Sequence, residues 1–405
     1  MLADALRHSA LREVRHSPRF LALMGVLLIA AIGYGGRDVS RLRYATELTG
    51  DALGIGVAAA AFSVGLAVGG LASGPIADRF DPRRLLVVGM ALQGLVSLVT
   101  ALLLLTGVTL DGAYLATSFA DGVFAGACVP ALVTTQAAMV PVAARGAAEI
   151  ISILRLGIGI ALGLFIAGLV SSTPVALVGV GVLLCLVAWP IAVITRPVSI
   201  PRRGRDTGRV LDVLRTHPVL TRIVIADLVL CVAVPTQFSN VVLASDWDDA
   251  LVTPVLVSGV AGVLVGRLVL ALTGSRGVVR RELLESYGMF VALALLGVPL
   301  VATSVVYTAV WIPAAVLFVG SATTSYAQGL LAALVQQQVP DEVRGRLSGG
   351  VAAARSVLIA GSAILLTAVV VPFSTTAAAI FVAVLAVVAL IVLRGFRGIT
   401  ADAVR

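Results

Sequence analysis

The chain has 405 residues, 59% of them hydrophobic and only 12% charged. A soluble domain carries about a quarter charged residues, so this chain cannot cover a water-facing surface, and it lacks the strand-length alternation of a transmembrane β-barrel. The net charge is +8 and all 29 basic residues are arginine; they sit in short loops between apolar runs and read as topology signals, not as a nucleic-acid-binding surface.

Residues 1–18 are polar and basic with no apolar core, so no cleavable signal is expected. Twelve apolar spans then follow, at 20–45, 52–76, 84–107, 112–138, 148–170, 173–195, 219–244, 251–273, 284–305, 308–335, 347–371 and 374–394. Each is long enough to cross about 30 Å of hydrocarbon at about 1.5 Å per residue. The expected fold is an all-α integral membrane protein of twelve transmembrane helices. Cys128, Cys185 and Cys231 fall inside apolar runs and read as small hydrophobes.

Charge alternates from loop to loop. One side collects Arg7, Arg12, Arg15 and Arg19, then Arg79, Arg83 and Arg84, then Arg145. The run from Arg196 to Arg215 follows, with Arg276, Arg280, Arg281, Arg344, Arg346, Arg394 and Arg397 further on. The opposite turns carry Asp51, Asp111, Asp246, Asp248 and Asp249 and no arginine. This asymmetry places both termini in the cytoplasm.

The longest polar stretch lies between spans six and seven. It divides the chain into a half at 1–195, a cytoplasmic linker at 196–218 and a half at 219–405. The halves echo one another. Leu11 to Pro18 resembles Leu211 to Pro218, 200 positions later, and Val140-Pro141 with Arg145-Gly146 resembles Val339-Pro340 with Arg344-Gly345, 199 positions later. Two parallel repeats imply two pseudo-symmetric six-helix bundles, with a site at their interface near mid-membrane.

Span two ends in Gly74-Pro-Ile-Ala-Asp78-Arg79-Phe-Asp81-Pro82-Arg83-Arg84. This resembles the loop 2–3 signature of the major facilitator superfamily, with Asp81 where the family has a second glycine. The resemblance implies a gating role for Gly74, Asp78, Arg79, Arg83 and Arg84, with Asp78 at the N-terminal end of span eleven in the outward-open state. Within the family the chain is similar to the siderophore-exporter and drug-efflux branch. That likeness lies in Leu48 to Ala52, Asp121 to Ala125, Leu154 to Gly157 and Gln338 to Arg346. Span five reads Gly163-Leu164-Phe165 where many antiporters carry Gly-Pro.

Ionisable groups in hydrocarbon cost about 2.5–3.5 kcal/mol each on insertion scales and tend to face a cavity. Span one holds Arg37, Asp38 and Arg41, span four Asp121, span five Arg155, span seven Asp227, span eight Arg267 and span eleven Arg355. Asp121, Asp38 and Asp227 are the candidates for proton coupling, since no histidine lies in a span; Arg155 is expected to approach Asp121 in one conformation and withdraw in the other. Asp227 and Arg267 read equally as a structural ion pair. Arg37, Arg41, Arg155 and Arg355 are candidates for the substrate cavity, as are Gln237, Asn240, Tyr326 and Gln328. If those four arginines shared one cavity with Asp38 and Asp121, its nominal charge would be +2, suited to anionic cargo with oxygen donors.

The expected function is secondary active transport: proton-coupled export of a siderophore-like metabolite or a drug by a monomer in the bilayer. Import of a small polar solute on the same fold and a non-transporting membrane sensor are the alternatives. No Gly-Lys-Ser/Thr phosphate loop and no metal-ligand spacing is present, so neither a cofactor nor an enzyme activity is expected. The topology is checked with single cysteines at Ser199 and Asp248 in a chain without its native cysteines. An impermeant thiol reagent added to intact cells should label Asp248→Cys and spare Ser199→Cys; the reverse pattern would invert the orientation.

Overall fold

A computed structural model describes residues 14–49, 52–77, 81–106, 111–170, 172–195, 214–232, 249–273, 311–339 and 344–364, with four further positions between 384 and 391. No strand occurs among the described residues. The α-helices are α1 (Pro18–Thr49), α2 (Ala52–Ala77), α3 (Pro82–Leu105), α4 (Asp111–Met139), α5 (Arg145–Leu169), α6 (Thr173–Ile194), α7 (Pro218–Val232), α8 (Asp249–Thr273), α9 (Trp311–Gln338) and α10 (Arg344–Ile364). They correspond to spans one to eight, ten and eleven. Span nine, the C-terminal part of span seven and nearly all of span twelve lie outside the described residues. The protein is a multi-pass helical membrane protein. Among the described residues, five helices are long and apolar enough to cross a membrane by themselves: 18–38, 82–105, 112–139, 145–167 and 173–194.

Local chemistry sets the helix ends. Asp81 caps α3: its carboxylate accepts from the Arg83 backbone N–H at 3.0 Å, and Pro82 opens the helix. The residue that departs from the family glycine thus starts the third span. Pro141 leads into one 3-10 turn, Val142–Ala144, and α5 begins directly after it at Arg145. Both α5 and α10 start three residues before the expected 148 and 347. In α10 the cause is visible: the Arg344 guanidinium turns back onto the end of α9, donating to the Val339 carbonyl at 2.9 Å and the Gln336 carbonyl at 3.2 Å. A cation at a helix C-terminus also complements the helix dipole. Inside α4, Pro130 removes one backbone donor, and the Thr134 and Thr135 hydroxyls bond back to the Pro130 and Ala131 carbonyls at 2.8 and 2.7 Å.

Lipid tails are as apolar as leucine, so helices in a membrane associate through close packing of small residues. The pair α2 and α4 shows this on both sides. A Cβ on Gly65 would strike the Phe119 carbonyl and one on Gly69 the Val123 carbonyl; Gly122 and Gly126 face the Phe62 and Leu66 carbonyls in the same way. The second half repeats the arrangement: Gly262 and Gly266 of α8 lie against the Phe318 and Ala322 carbonyls of α9. The two glycine pairs are 197 residues apart and the carbonyls they meet are 199 apart. Helix pairing follows the same rule, since α1 packs on α5 and α7 on α10.

The two bundles meet at their arginine-rich end. Gly70 of α2 and Gly349 of α10 face one another there, and a Cβ on Gly349 would lie 2.5 Å from the Gly70 carbonyl oxygen. On the other faces, large apolar side chains such as Leu169, Phe165, Leu186 and Val193 are exposed. Such a surface suits hydrocarbon and not water. Trp189 and Trp311, 74% and 78% exposed, stand near helix ends where an interfacial aromatic belt forms.

Substitution at these contacts should separate close approach from mere helix propensity. Gly69→Val and Gly126→Val each force α2 and α4 apart and should lower stability by about 1–3 kcal/mol, the range for overpacking. Gly179→Ala, which meets nothing within 4 Å, should leave the melting temperature of the purified protein unchanged.

Candidate coupling site

A buried ion pair joins three helices of the first half. Asp121 of α4 is wholly buried and Arg37 of α1 is 4% exposed. Arg37 Nη1 donates to Asp121 Oδ1 at 2.9 Å and to Gln93 Oε1 of α3 at 3.2 Å. Gln93 in turn donates to the Gly89 carbonyl at 3.4 Å and to Cys128 Sγ at 3.5 Å. Two rings flank the guanidinium, with Tyr34 4.9 Å and Phe62 5.4 Å from it, centroid to Cζ. Their negative faces stabilise a cation where water is scarce. Asp38 stands apart: it is half-exposed and its carboxylate approaches Arg37 Nε only to 3.9 Å.

In this arrangement Asp121 is bound by Arg37, while Arg155, expected beside Asp121 in one conformation, is bound elsewhere. Arg155, buried in α5, donates to the Leu27 carbonyl of α1 at 2.8 Å and more weakly to Ser152 Oγ at 3.5 Å. The sequence spacing had suggested adjacent spans; the bundle instead brings spans one and four together.

A second pair occupies the other half. Arg355 of α10 holds Asp227 of α7 in a two-pronged contact, Nε to Oδ2 at 2.6 Å and Nη2 to Oδ1. Asp227 is buried and the arginine side chain is one third exposed. Arg267, the expected partner of Asp227, goes elsewhere. It leaves α8 and donates to the Ile153 carbonyl of α5 at 3.0 Å and to Ser325 Oγ of α9 at 3.1 Å. Its stem fills a slot at Gly157, where a Cβ would lie 2.8 Å from Cδ and 2.6 Å from Nη1. Arg267 therefore bridges the two halves.

These two reassignments are related. Arg155 and Arg355 are 200 positions apart, as are Leu27 and Asp227. In one half the arginine meets a backbone carbonyl at that position; in the other it meets a carboxylate. The same joint is neutral–cationic in the first half and a full ion pair in the second.

Of the remaining candidates, Tyr326 packs against the apolar core and Gln328 donates to Cys231 Sγ at 3.7 Å, tying α9 to α7. Gly74 lies in the last turn of α2, Arg83 is partly buried and Arg84 exposed at the start of α3. Asp78, Arg79, Gln237 and Asn240 lie outside the described residues, as does the side chain of Arg41. Sequence reading passed over two residues that the bundle makes important. Gln93 carries no charge and reads as an ordinary polar residue in a span. Glu149 sits four residues after Arg145 and was masked by its closeness to the loop; it lines a small cavity of about 10 Å³ with Arg145, Arg344, Gln136 and Gln336.

The bundle, with its internal repeats and its buried charges bonded between helices, is a family architecture, and the family match marks it as a membrane transporter and not an enzyme. The chain belongs to the Major Facilitator Superfamily, matched over residues 23–363. No curated protein matches it. Among solved structures, the human organic anion transporter MFSD10 (TETRAN) is similar with a TM-score of 0.68 at 13% identity, over 93% of this chain and 99% of that one. The E. coli fucose:proton symporter FucP, as a single-substitution variant, gives 0.65 at 14% identity, over 93% and 98%. A bacterial homologue of the iron transporter ferroportin, in an outward-facing state with soaked iron, gives 0.69 at 14% identity, over 93% and 98%. Likeness at this identity shows the shared fold.

The Arg37–Asp121 contact is testable by a mutant cycle. Removing one partner strands the other charge in the bundle, at about 3–5 kcal/mol. Arg37→Gln and Asp121→Asn should each lower the melting temperature of the detergent-purified protein, and the double variant should recover most of the loss. A double variant as unstable as the sum of the singles would show that the two side chains do not interact.

Proposed function

We propose that this protein is a proton-coupled secondary transporter that exports an organic solute from a bacterial cell by alternating access, with Asp121 as the proton-binding carboxylate. The observation that carries the reading is the buried Arg37–Asp121 pair, held by Gln93 across α1, α3 and α4. An ionised carboxylate in this place is stabilised by the guanidinium. A proton on Asp121 cancels that attraction and leaves Arg37 held by the Tyr34 and Phe62 rings, by Gln93 and, at 3.9 Å, by Asp38. The joint between α1 and α4 then weakens, which lets proton binding bias the arrangement of the helices.

Export, rather than import, is supported by the segments similar to the siderophore-exporter and drug-efflux branch. The cargo is an organic molecule of the siderophore or drug class. Its charge is less constrained than the count of arginines implies, because Arg37 and Arg355 are each neutralised by a carboxylate from another helix. The excess of positive charge that would favour an anion then rests on Arg41 and Arg155. The protein works as a monomer in the cytoplasmic membrane, with both termini and the 196–218 linker inside the cell, and its functional halves are 1–195 and 219–405.

Asp121→Asn should abolish accumulation of substrate driven by a pH gradient in inside-out vesicles while leaving substrate binding and exchange intact. Anionic, neutral and cationic organic solutes are compared in the same vesicles. Concentrative transport by Asp121→Asn at the parent rate would place the coupling proton elsewhere, and Asp227 would be next in line.

A further inference from the structure

A cavity of about 360 Å³ lies where α1 and α5 of the first half meet α8 of the second. Gly25 and Leu28 of α1 line it, with Leu154, Arg155 and Ile158 of α5 and Leu268 of α8. Every other lining residue is apolar too, so Arg155 is the one polar group among them. Ile158 and Leu268 are exposed as well as lining the cavity, which therefore opens on the lipid-facing side. Gly25 makes the room: nothing lies within 4 Å of the place its Cβ would take. An apolar pocket of this size with one placed polar group has the makeup of a small-molecule site.

Arg155 is 8% exposed, and among the described residues no carboxylate lies within 4 Å of it. Glu149, six residues back on α5, acts on it only from beyond that distance. Arg155 Nη1 donates to the Leu27 carbonyl, Nη2 reaches Ser152 Oγ only at 3.5 Å, and Nε is buried with no hydrogen-bond partner. A buried cation without an acid beside it is costly. The repeat supplies the comparison. Arg355, 200 positions later, grips Asp227 through Nε and Nη2, the same two nitrogens that Arg155 leaves open or weakly bound. Leu27 stands where the second half has Asp227, and Gly25 stands where it has Ile225. The first half thus offers an open guanidinium edge and empty space where the second half supplies its own carboxylate and its own side chain.

We propose that this cavity binds a lipophilic organic carboxylate from the bilayer, its acid group on the Nε–Nη2 edge of Arg155 and its apolar body between α1, α5 and α8. The bound carboxylate takes the place that Asp227 fills in the other half, in the two-pronged geometry that suits a guanidinium. Depth selects the ligand. Arg155 is ten residues into α5, about 15 Å from the arginine-rich end, near the middle of a hydrocarbon layer about 30 Å thick. A phospholipid headgroup stays at the membrane surface and does not reach it; an acid on a single apolar chain does. The site goes beyond the coupling reading above, since binding needs neither Asp121 nor a proton gradient.

The test measures binding of dodecanoate to the full-length chain in phosphatidylcholine nanodiscs at mildly alkaline pH, with empty nanodiscs as background. A diazirine-bearing dodecanoate maps the site by mass spectrometry, and dodecanol serves as the uncharged probe. In the parent, dodecanoate should bind more tightly than dodecanol, and its crosslinks should fall on α1, α5 and α8. Arg155→Gln should weaken dodecanoate by roughly ten- to a hundredfold, the loss of hydrogen bonds to a charged group, and leave dodecanol unchanged. Gly25→Leu, which meets open space and so should fold as the parent does, should exclude both probes. Asp121→Asn should bind dodecanoate as the parent does, so that a failure of proton coupling and a failure of this site are read apart. Equal binding of the acid and the alcohol by the parent, or parent-like binding of dodecanoate by Gly25→Leu and Arg155→Gln, would overturn the proposal. Displacement of dodecanoate by phosphatidylglycerol added to the nanodiscs at the same mole fraction would also overturn it, by assigning the site to a lipid headgroup.

Discussion

Everything in this bundle depends on how closely helix backbones approach one another in a solvent that offers them neither water nor a hydrophobic drive. Glycines at repeat-related positions on α2 and α8 let the carbonyls of α4 and α9 come into contact range. Once the backbones are that close, the remaining side chains have few places to go. Apolar ones turn outward to lipid, and polar ones are forced into the seams between helices, where they must find partners. The Gly157 slot is the clearest case: with no Cβ there, the Arg267 stem passes along α5 and reaches the Ile153 carbonyl in the other half.

The buried charges therefore sort by seam and not by span. The α1–α4 seam holds Arg37 and Asp121, with Gln93 of α3 completing the guanidinium's bonds. The α7–α10 seam holds Asp227 and Arg355, and the equivalent α1–α5 seam holds Arg155 against a backbone carbonyl. Repeats built from one plan thus carry different electrostatics at the same place. A full ion pair responds to a proton on its carboxylate; an arginine on a carbonyl does not. The same joint is an ion pair in one half and a guanidinium on a backbone carbonyl in the other. Glu149 extends the pattern, since it is an acid present in one repeat only.

Helices and their order were legible because they are set by local runs of sequence against a fixed hydrocarbon thickness. Two starts moved where an end was decided by something non-local or by turn chemistry: at Arg344, whose guanidinium folds back on α9, and at Arg145, which follows the turn set by Pro141. The candidate charges Arg37, Asp121, Asp227 and Arg355 were also legible, because a charged residue within an apolar run stands out whatever surrounds it. Their pairing was not. Neighbouring spans in the chain suggested Asp121 with Arg155 and Asp227 with Arg267; the bundle paired span one with four and span seven with eleven.

By itself the sequence determined the membrane class, the helix order, the repeat and the identity of most buried ionisable groups, since these follow from composition, period and the cost of charge in lipid. Only the tertiary structure decided which groups neutralise which, that Gln93 completes the first pair, and that Glu149 shares a cavity with arginines of both halves. The reason is physical: burial penalties act on single residues and leave a mark in the sequence. Ion pairs depend on distances of 3–4 Å between helices far apart in the chain, and no local pattern encodes those.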